Sequence, residues 1–228
     1  MIKENLNRVR DEIAEKCLKI GRNPAEITLI AVSKTYGYES VLDAVSCGQR
    51  DFGENWAQEL VEKYEFVPKD VSWHFIGHLQ TNKAKYVVPR AGFIHSVDKL
   101  KLAEEICKIA QKHNKSQNIL LEIKTSEEAT KHGLTSENEI EEIAGFCKEN
   151  EYINLVGLMT MAPFTEDEKK IRQSFTQLRL LKDKLNGKGF GLTELSMGMT
   201  GDFEIALEEG ATMLRIGTAI FGTRNYST

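Results

Sequence analysis

The 228-residue sequence predicts an α/β chain folded as a single (β/α)8 barrel behind a leading helix, and three features carry that prediction. Eight short, apolar, β-branched runs punctuate the chain, helical apolar periodicities lie between them, and polar residues gather just after the runs end. The runs begin roughly 20 to 38 residues apart, the room that a strand, a helix and two short loops need, so consecutive strands should be parallel with right-handed crossovers. Eight such units favour closure over an open doubly wound sheet, whose edge strands would read as more polar than these runs.

The leading helix is read from Ile2, Leu6, Val9, Ile13, Cys17 and Ile20, which recur at helical spacing until Gly21 stops the pattern before Pro24. Strands are then expected at residues 27–33, 50–53, 73–77, 93–97, 118–123, 155–159, 193–196 and 213–217. Helical patterns fill the intervals, most clearly at 100–113, 138–149 and 169–185. With only four prolines and no Ser/Gly-rich tract there is no linker, so residues 1–228 are expected to form one domain.

Composition removes several function classes. The chain is 41% hydrophobic, enough for a sizeable core, and 30 basic against 34 acidic residues give a net charge of −4, which offers no field to attract nucleic acid or an anionic membrane. The longest uncharged stretch, residues 152–165, is about 14 residues, short of the roughly 18 to 20 that cross a bilayer. The opening segment mixes both charge signs and has no apolar core, so neither a secretory signal nor a transit peptide is expected and the cytoplasm is the expected location. Cys17, Cys47, Cys107 and Cys147 lie far apart with no CxxC and no zinc-type histidine spacing; they read as free thiols in helices, and no metal is expected. His74 and His78, four residues apart, would not share a helical face if His74 lies in a strand.

In such barrels the reactive face is the carboxyl end of the strands. There the sequence places Lys34 after the first strand, Glu54 and Asn55 after the second, His78 to Asn82 after the third, Ser196 at the end of the seventh, and Arg215, Gly217 and Thr218 at the eighth. The last two strands leave through glycine and a hydroxyl residue, where backbone N–H groups can approach an anion closely and Ser196 and Thr218 offer hydroxyl donors. The plainer account makes Gly198, Gly201, Gly217 and Gly222 turn residues. Lys34 points from a buried strand into an apolar mouth, where desolvation would free its amine to condense with an aldehyde, or it reaches past the rim to solvent. A ligand carrying both an aldehyde and a phosphate would use both places, and pyridoxal 5′-phosphate is such a ligand. Arg215 would then face the pyridine nitrogen, to which a guanidinium can only donate; otherwise it pairs with a carboxylate such as Glu194.

The segments AVSK (31–34), FGENWAQE (52–59), WHFIGHLQTNK (73–83), GLMTMAP (157–163) and LSMGMTGD…MLRIGTAIFGTR (195–224) resemble the pyridoxal phosphate homeostasis protein family nearly end to end. The resemblance implies a barrel like the amino-terminal domain of alanine racemase, without that enzyme's second, β domain. It implies that Lys34 carries the cofactor as a Schiff base, that Ser196, Gly217 and Thr218 hold its phosphate, that Arg215 faces the ring nitrogen and that Asn55 lies close by. Tyr36-Gly37 stand where the family commonly has a proline, Trp56 for tyrosine, Thr200 for serine and Lys124 for asparagine, which touches loop details above the cofactor.

Two functions follow from that resemblance. In the first, the protein holds pyridoxal phosphate with little or no catalysis, supplies it transiently to apoenzymes and limits free aldehyde, as a monomer or weak dimer with neither nucleic acid nor membrane as partner. The second is an amino-acid racemase or related enzyme, which needs an acid/base on the far face of the cofactor. The racemase supplies a tyrosine from its second domain; here the sequence stops after the eighth strand, and His74, Tyr36 or a partner subunit would have to serve. A weaker third reading is a cofactor-free sugar-phosphate barrel enzyme with a lysine base.

Overall fold

The computed structural model describes residues 1–126 and 132–222. The leading helix α1 (Ile2–Lys19) buries Leu6, Val9, Ile13 and Cys17, the stripe that its periodicity predicts, and the chain turns away through Gly21 at φ 71°. Strand and helix then alternate: β1 (Thr28–Val32), α2 (Tyr38–Ser46), β2 (Asp51–Glu54), α3 (Ala57–Phe66), β3 (Ser72–Phe75), α4 (Ala84–Val87), β4 (Phe93–Val97), α5 (Leu100–Lys112), β5 (Gln117–Glu122), α6 (Glu137–Glu149), β6 (Ile153–Met159), α7 (Glu168–Gly187), β7 (Glu194–Ser196), α8 (Phe203–Glu208), β8 (Met213–Ile216) and α9 (Thr218–Phe221). Ser136 caps α6 by accepting from the Glu139 N–H, and Asp167 caps α7 by accepting from the Lys169 N–H at 3.0 Å.

All eight strands are parallel and lie in chain order. The sheet closes where β1 pairs with β8 from Thr28↔Met213 to Ala31↔Ile216, so the predicted barrel is the observed one and no strand edge is left open. Strand ends differ from the sequence expectation by one or two residues: β1 stops at Val32, before the turn carrying Lys34, and β6 starts at Ile153.

Strand alternation sorts the residues into two shells. Outward-facing Phe52, Trp73, Phe75 and Leu195 join the buried stripes of the helices in the main core. Each fully buried large side chain of this kind contributes about 1.5–3 kcal/mol relative to exposure. Inward-facing Ile30, Leu120, Met159 and Met213 form a separate apolar plug. The same interior also holds buried polar groups, Ser196, His74, His95 and Arg215, and this axial polarity bears on the site. Cys17, Cys107 and Cys147 are buried, Cys47 is half-buried at the end of α2, and all four are free. No helix among the described residues is long and apolar enough to cross a membrane.

Candidate functional site

A cavity of about 460 Å³ opens at the carboxyl end of the strands. Lys34, Asn55, Arg215, Gly217 and Thr218 all line it, joined by Tyr36, Thr200 and an apolar rim of Met161, Phe164 and Met199. Five of the six site residues expected from sequence therefore share one space. Ser196 does not. Register pairs Ser196 with Met213, two residues below Arg215, while the Gly198 carbonyl accepts from the Arg215 N–H at 2.9 Å. Ser196 is thus fully buried one layer beneath the mouth and is not among the residues that line the cavity. At the mouth Thr200 adds a hydroxyl, which accepts from Thr218 Oγ1 at 3.2 Å.

The turn carrying Lys34 is held from below. The Ser33 N–H continues the ladder to the Gly53 carbonyl at 3.0 Å, and Thr35 then adopts φ 72°, a left-handed conformation that costs a β-branched residue free energy and persists only under constraint. The constraint comes from α3: Glu59 Oε2 accepts from the Thr35 N–H at 2.8 Å, and Lys63 Nζ donates to the Ser33 carbonyl at 2.9 Å. Lys63 is 3% exposed, and it also donates to Glu54 and Glu59. Glu54 accepts from Ser33 Oγ at 2.7 Å. Burial pushes the Glu54 carboxyl above its ordinary pKa, against the pull of Lys63. A buried lysine thus braces the backbone on which the cavity lysine stands.

Asn55 follows β2 and faces a similar constraint. A Cβ on Gly77 would lie 2.3 Å from the Asn55 carbonyl oxygen, so glycine is required for the two loops to approach this closely. Asn55 Oδ1 is buried and, among the described residues, has no hydrogen-bond partner. An orphaned acceptor on a cavity wall is the signature of a place that a ligand or water completes.

Arg215 is the end of a chain of hydrogen bonds along the barrel axis. Its Nη2 donates to the Thr160 carbonyl at 2.8 Å and its Nη1 to Ser196 Oγ at 2.6 Å. From Ser196 the contacts run to His95 Nδ1 at 2.9 Å, from His95 Nε2 to His74 Nδ1 at 3.0 Å, and from His74 Nε2 to Asp51 Oδ1 at 3.0 Å. Because guanidinium only donates and carboxylate only accepts, every link is satisfied when the donors point one way and both imidazoles are neutral with the proton on Nε2. Burial, with His74 and Arg215 adding to it, holds His95 well below the ordinary histidine range, in keeping with a neutral ring. Burial also lowers Arg215 to about 10, against Asp202 and Glu122, so the guanidinium is charged at neutral pH. Nearby Glu122 is raised to about 7, first by burial and then by Asp98, with Arg215 opposing.

An amine, a guanidinium and paired hydroxyls around one partly apolar cavity suit a ligand with an electrophilic carbon, a ring and an anionic group. The sequence reading missed the Thr200 hydroxyl as a cavity group, the Lys63 brace and the His74–His95–Ser196 chain. Thr200 had a signal in the glycine and hydroxyl pattern after the seventh strand; the other two join residues about 9 to 101 positions apart and become visible only once the barrel closes. Lys124 lies beyond β5 with its backbone N–H donating to the Leu134 carbonyl, and the Thr223 and Arg224 that end the closing motif lie outside the described residues.

Comparison with known proteins adds the ancestry. The family model for the alanine racemase N-terminal domain matches residues 2–225. A pyridoxal phosphate homeostasis protein of Aquifex aeolicus is 42% identical over 225 residues, covering 98% of each chain. The protein of that name in Escherichia coli K12 is 38% identical over 99% of this chain and 98% of its own. PipY of Synechococcus elongatus, solved with pyridoxal phosphate bound, superposes with a TM-score of 0.85 at 33% identity over 97% of this chain and all of its own. An alanine racemase of Clostridium difficile shares the fold at a TM-score of 0.78 and 16% identity, this chain spanning 57% of it. The chain belongs to the pyridoxal phosphate homeostasis protein family, built on the alanine racemase N-terminal domain.

Proposed function

We propose that this protein binds pyridoxal 5′-phosphate reversibly in the barrel-mouth cavity and serves its homeostasis in the cytoplasm, as one domain, with little or no catalysis. The observation that carries the reading is the convergence of Lys34, Asn55, Arg215, Gly217 and Thr218 on a single 460 Å³ space. When bound, the cofactor supplies an aldehyde able to condense with an amine, a pyridine ring and a phosphate anion. Lys34 would present the amine with which that aldehyde can condense reversibly. Gly217, Thr218 and Thr200 would hold the phosphate by hydroxyl and close backbone approach. Arg215, which can only donate, would stand toward the ring nitrogen and favour its unprotonated form, a weaker electron sink. Asn55 Oδ1 accepts from the ligand or its water.

The racemase reading needs a second base facing the cavity. His74 is fully buried between Asp51 and His95 and is absent from the cavity wall, and Tyr36 donates its hydroxyl proton to the Gly222 carbonyl at 2.8 Å. Transient transfer to apoenzymes, from a monomer or weak dimer, completes the proposed role.

Borohydride reduction of the loaded protein followed by peptide mapping tests the site. A phosphopyridoxyl group is expected on Lys34; a label on another lysine refutes the assignment, and an uncoloured protein without adduct favours a cofactor-free barrel enzyme. Incubation with single-enantiomer amino acids tests the role. No inversion is expected, and turnover that disappears in Lys34→Ala would make the protein an enzyme.

A further inference from the structure

Three side chains outside the cavity converge at the same end of the barrel. His78 follows β3, Asp98 follows β4, and His132 stands between β5 and α6. One ligand atom from each, an imidazole nitrogen or a carboxylate oxygen, lies within 4.8 Å of the other two. His78 Nδ1 is 3.5 Å from Asp98 Oδ2, close to the roughly 3.3–3.4 Å edge of a tetrahedron with metal–ligand bonds of about 2.0–2.1 Å. The two imidazoles stack with centroids 4.0 Å apart and planes 17° from parallel.

A second observation points to a cation. The Asp98 side chain is only 11% exposed, and its buried Oδ1 has no hydrogen-bond partner among the described residues; Lys99 Nζ stands 3.9 Å away. A desolvated carboxylate oxygen met only by a long ion pair to Lys99 is poorly compensated, and a cation shared with Oδ2 or bound through either oxygen offsets that cost.

We propose that His78, Asp98 and His132 bind a divalent transition ion of the zinc class through two imidazole nitrogens and one carboxylate oxygen, with a fourth position open. Calcium and magnesium demand all-oxygen shells, and no thiolate stands here to select copper(I). Binding requires the exposed His132 ring to change rotamer and leave the stack, and it ties three successive strand-end segments together. None of the three residues lines the pyridoxal phosphate cavity, so the two readings stand or fall separately.

The full chain, stripped with chelator, is titrated with cobalt(II) alone and then zinc(II) alone. One equivalent of cobalt with visible bands of tetrahedral type is expected, displaced by zinc, with zinc also raising the Tm. Altering an outer-shell partner commonly costs about 10- to 100-fold in affinity, so loss of a ligand in His132→Ala or Asp98→Asn is expected to cost at least that. His113→Ala, at an exposed histidine elsewhere, is expected to bind as wild type. His132→Ala changes an exposed side chain and carries the test even if Asp98→Asn fails to fold. Absence of binding at micromolar metal, unchanged affinity in His132→Ala, or equal loss in His113→Ala overturns the site.

Discussion

At the scale of single residues, the informative side chain is Lys63 rather than Lys34. Lys34 can present its amine only because the turn beneath it is braced, and the brace is an ammonium buried to 3% exposure among Ser33, Glu54 and Glu59. Removing one partner of such a cluster leaves the other charge desolvated, a cost of about 3–5 kcal/mol, whereas removing both together is often close to neutral. Lys63→Met is therefore expected to lower the urea midpoint sharply and to slow borohydride-trapped labelling of Lys34. Lys63→Met combined with Glu54→Leu is expected to regain much of the stability but not the labelling rate, because the Ser33 carbonyl still lacks its donor. If Lys63→Met unfolds at the wild-type urea concentration, the ammonium does not hold the turn.

At the scale of elements, the loop between β7 and α8 has little room to spare. Gly198 has φ 96°, and a Cβ there would lie 2.7 Å from Ala206 Cβ and 2.9 Å from Leu214 Cδ2. Backbone strain and overpacking each cost about 1–3 kcal/mol, so Gly198→Ala is expected to lose at least that in thermal unfolding and to shift α8 away from β8. A Tm equal to wild type would show that the loop yields freely. The same loop shows what was legible in the sequence. Periodicity and strand spacing identify all eight strands, most directly where a strand reads as an apolar run, as β1 does, while the polar β2 and β7 are placed by spacing. Strand-end position finds Lys34, Asn55, Arg215, Gly217 and Thr218, because a barrel presents such residues to one mouth. The depth of Ser196 is not legible in this way, because depth along the barrel axis depends on stagger between strands, and the pairing of Ser196 with Met213 cannot be read from either strand alone.

At the scale of the whole molecule, the polar interior makes stability depend on pH through two opposing groups. Glu122 moves from 4.5 up to about 7 on folding, chiefly by burial. Its favourable contribution is fully present below pH 4.5 and is lost as pH rises through 7, at about 1.4 kcal/mol per unit and about 3 kcal/mol in all. His95 moves the other way: burial holds it well below 6.5, so its contribution is present above 6.5 and is lost as pH falls, again at about 1.4 kcal/mol per unit. Just below pH 6.5 the two slopes oppose each other, and each appears when the other group is removed. Relative to wild type, Glu122→Gln is expected to gain about 3 kcal/mol between pH 4.5 and 8. His95→Gln keeps an acceptor for Ser196 and a donor for His74; it is expected to start less stable at pH 7, with the gap narrowing as pH falls below 6.5. Urea unfolding across pH 4.5 to 8 measures both differences, in which groups common to the two proteins drop out. Variant curves parallel to wild type would mean that neither group changes protonation on folding, and the one-way chain from Arg215 to Asp51 would lose its neutral imidazoles.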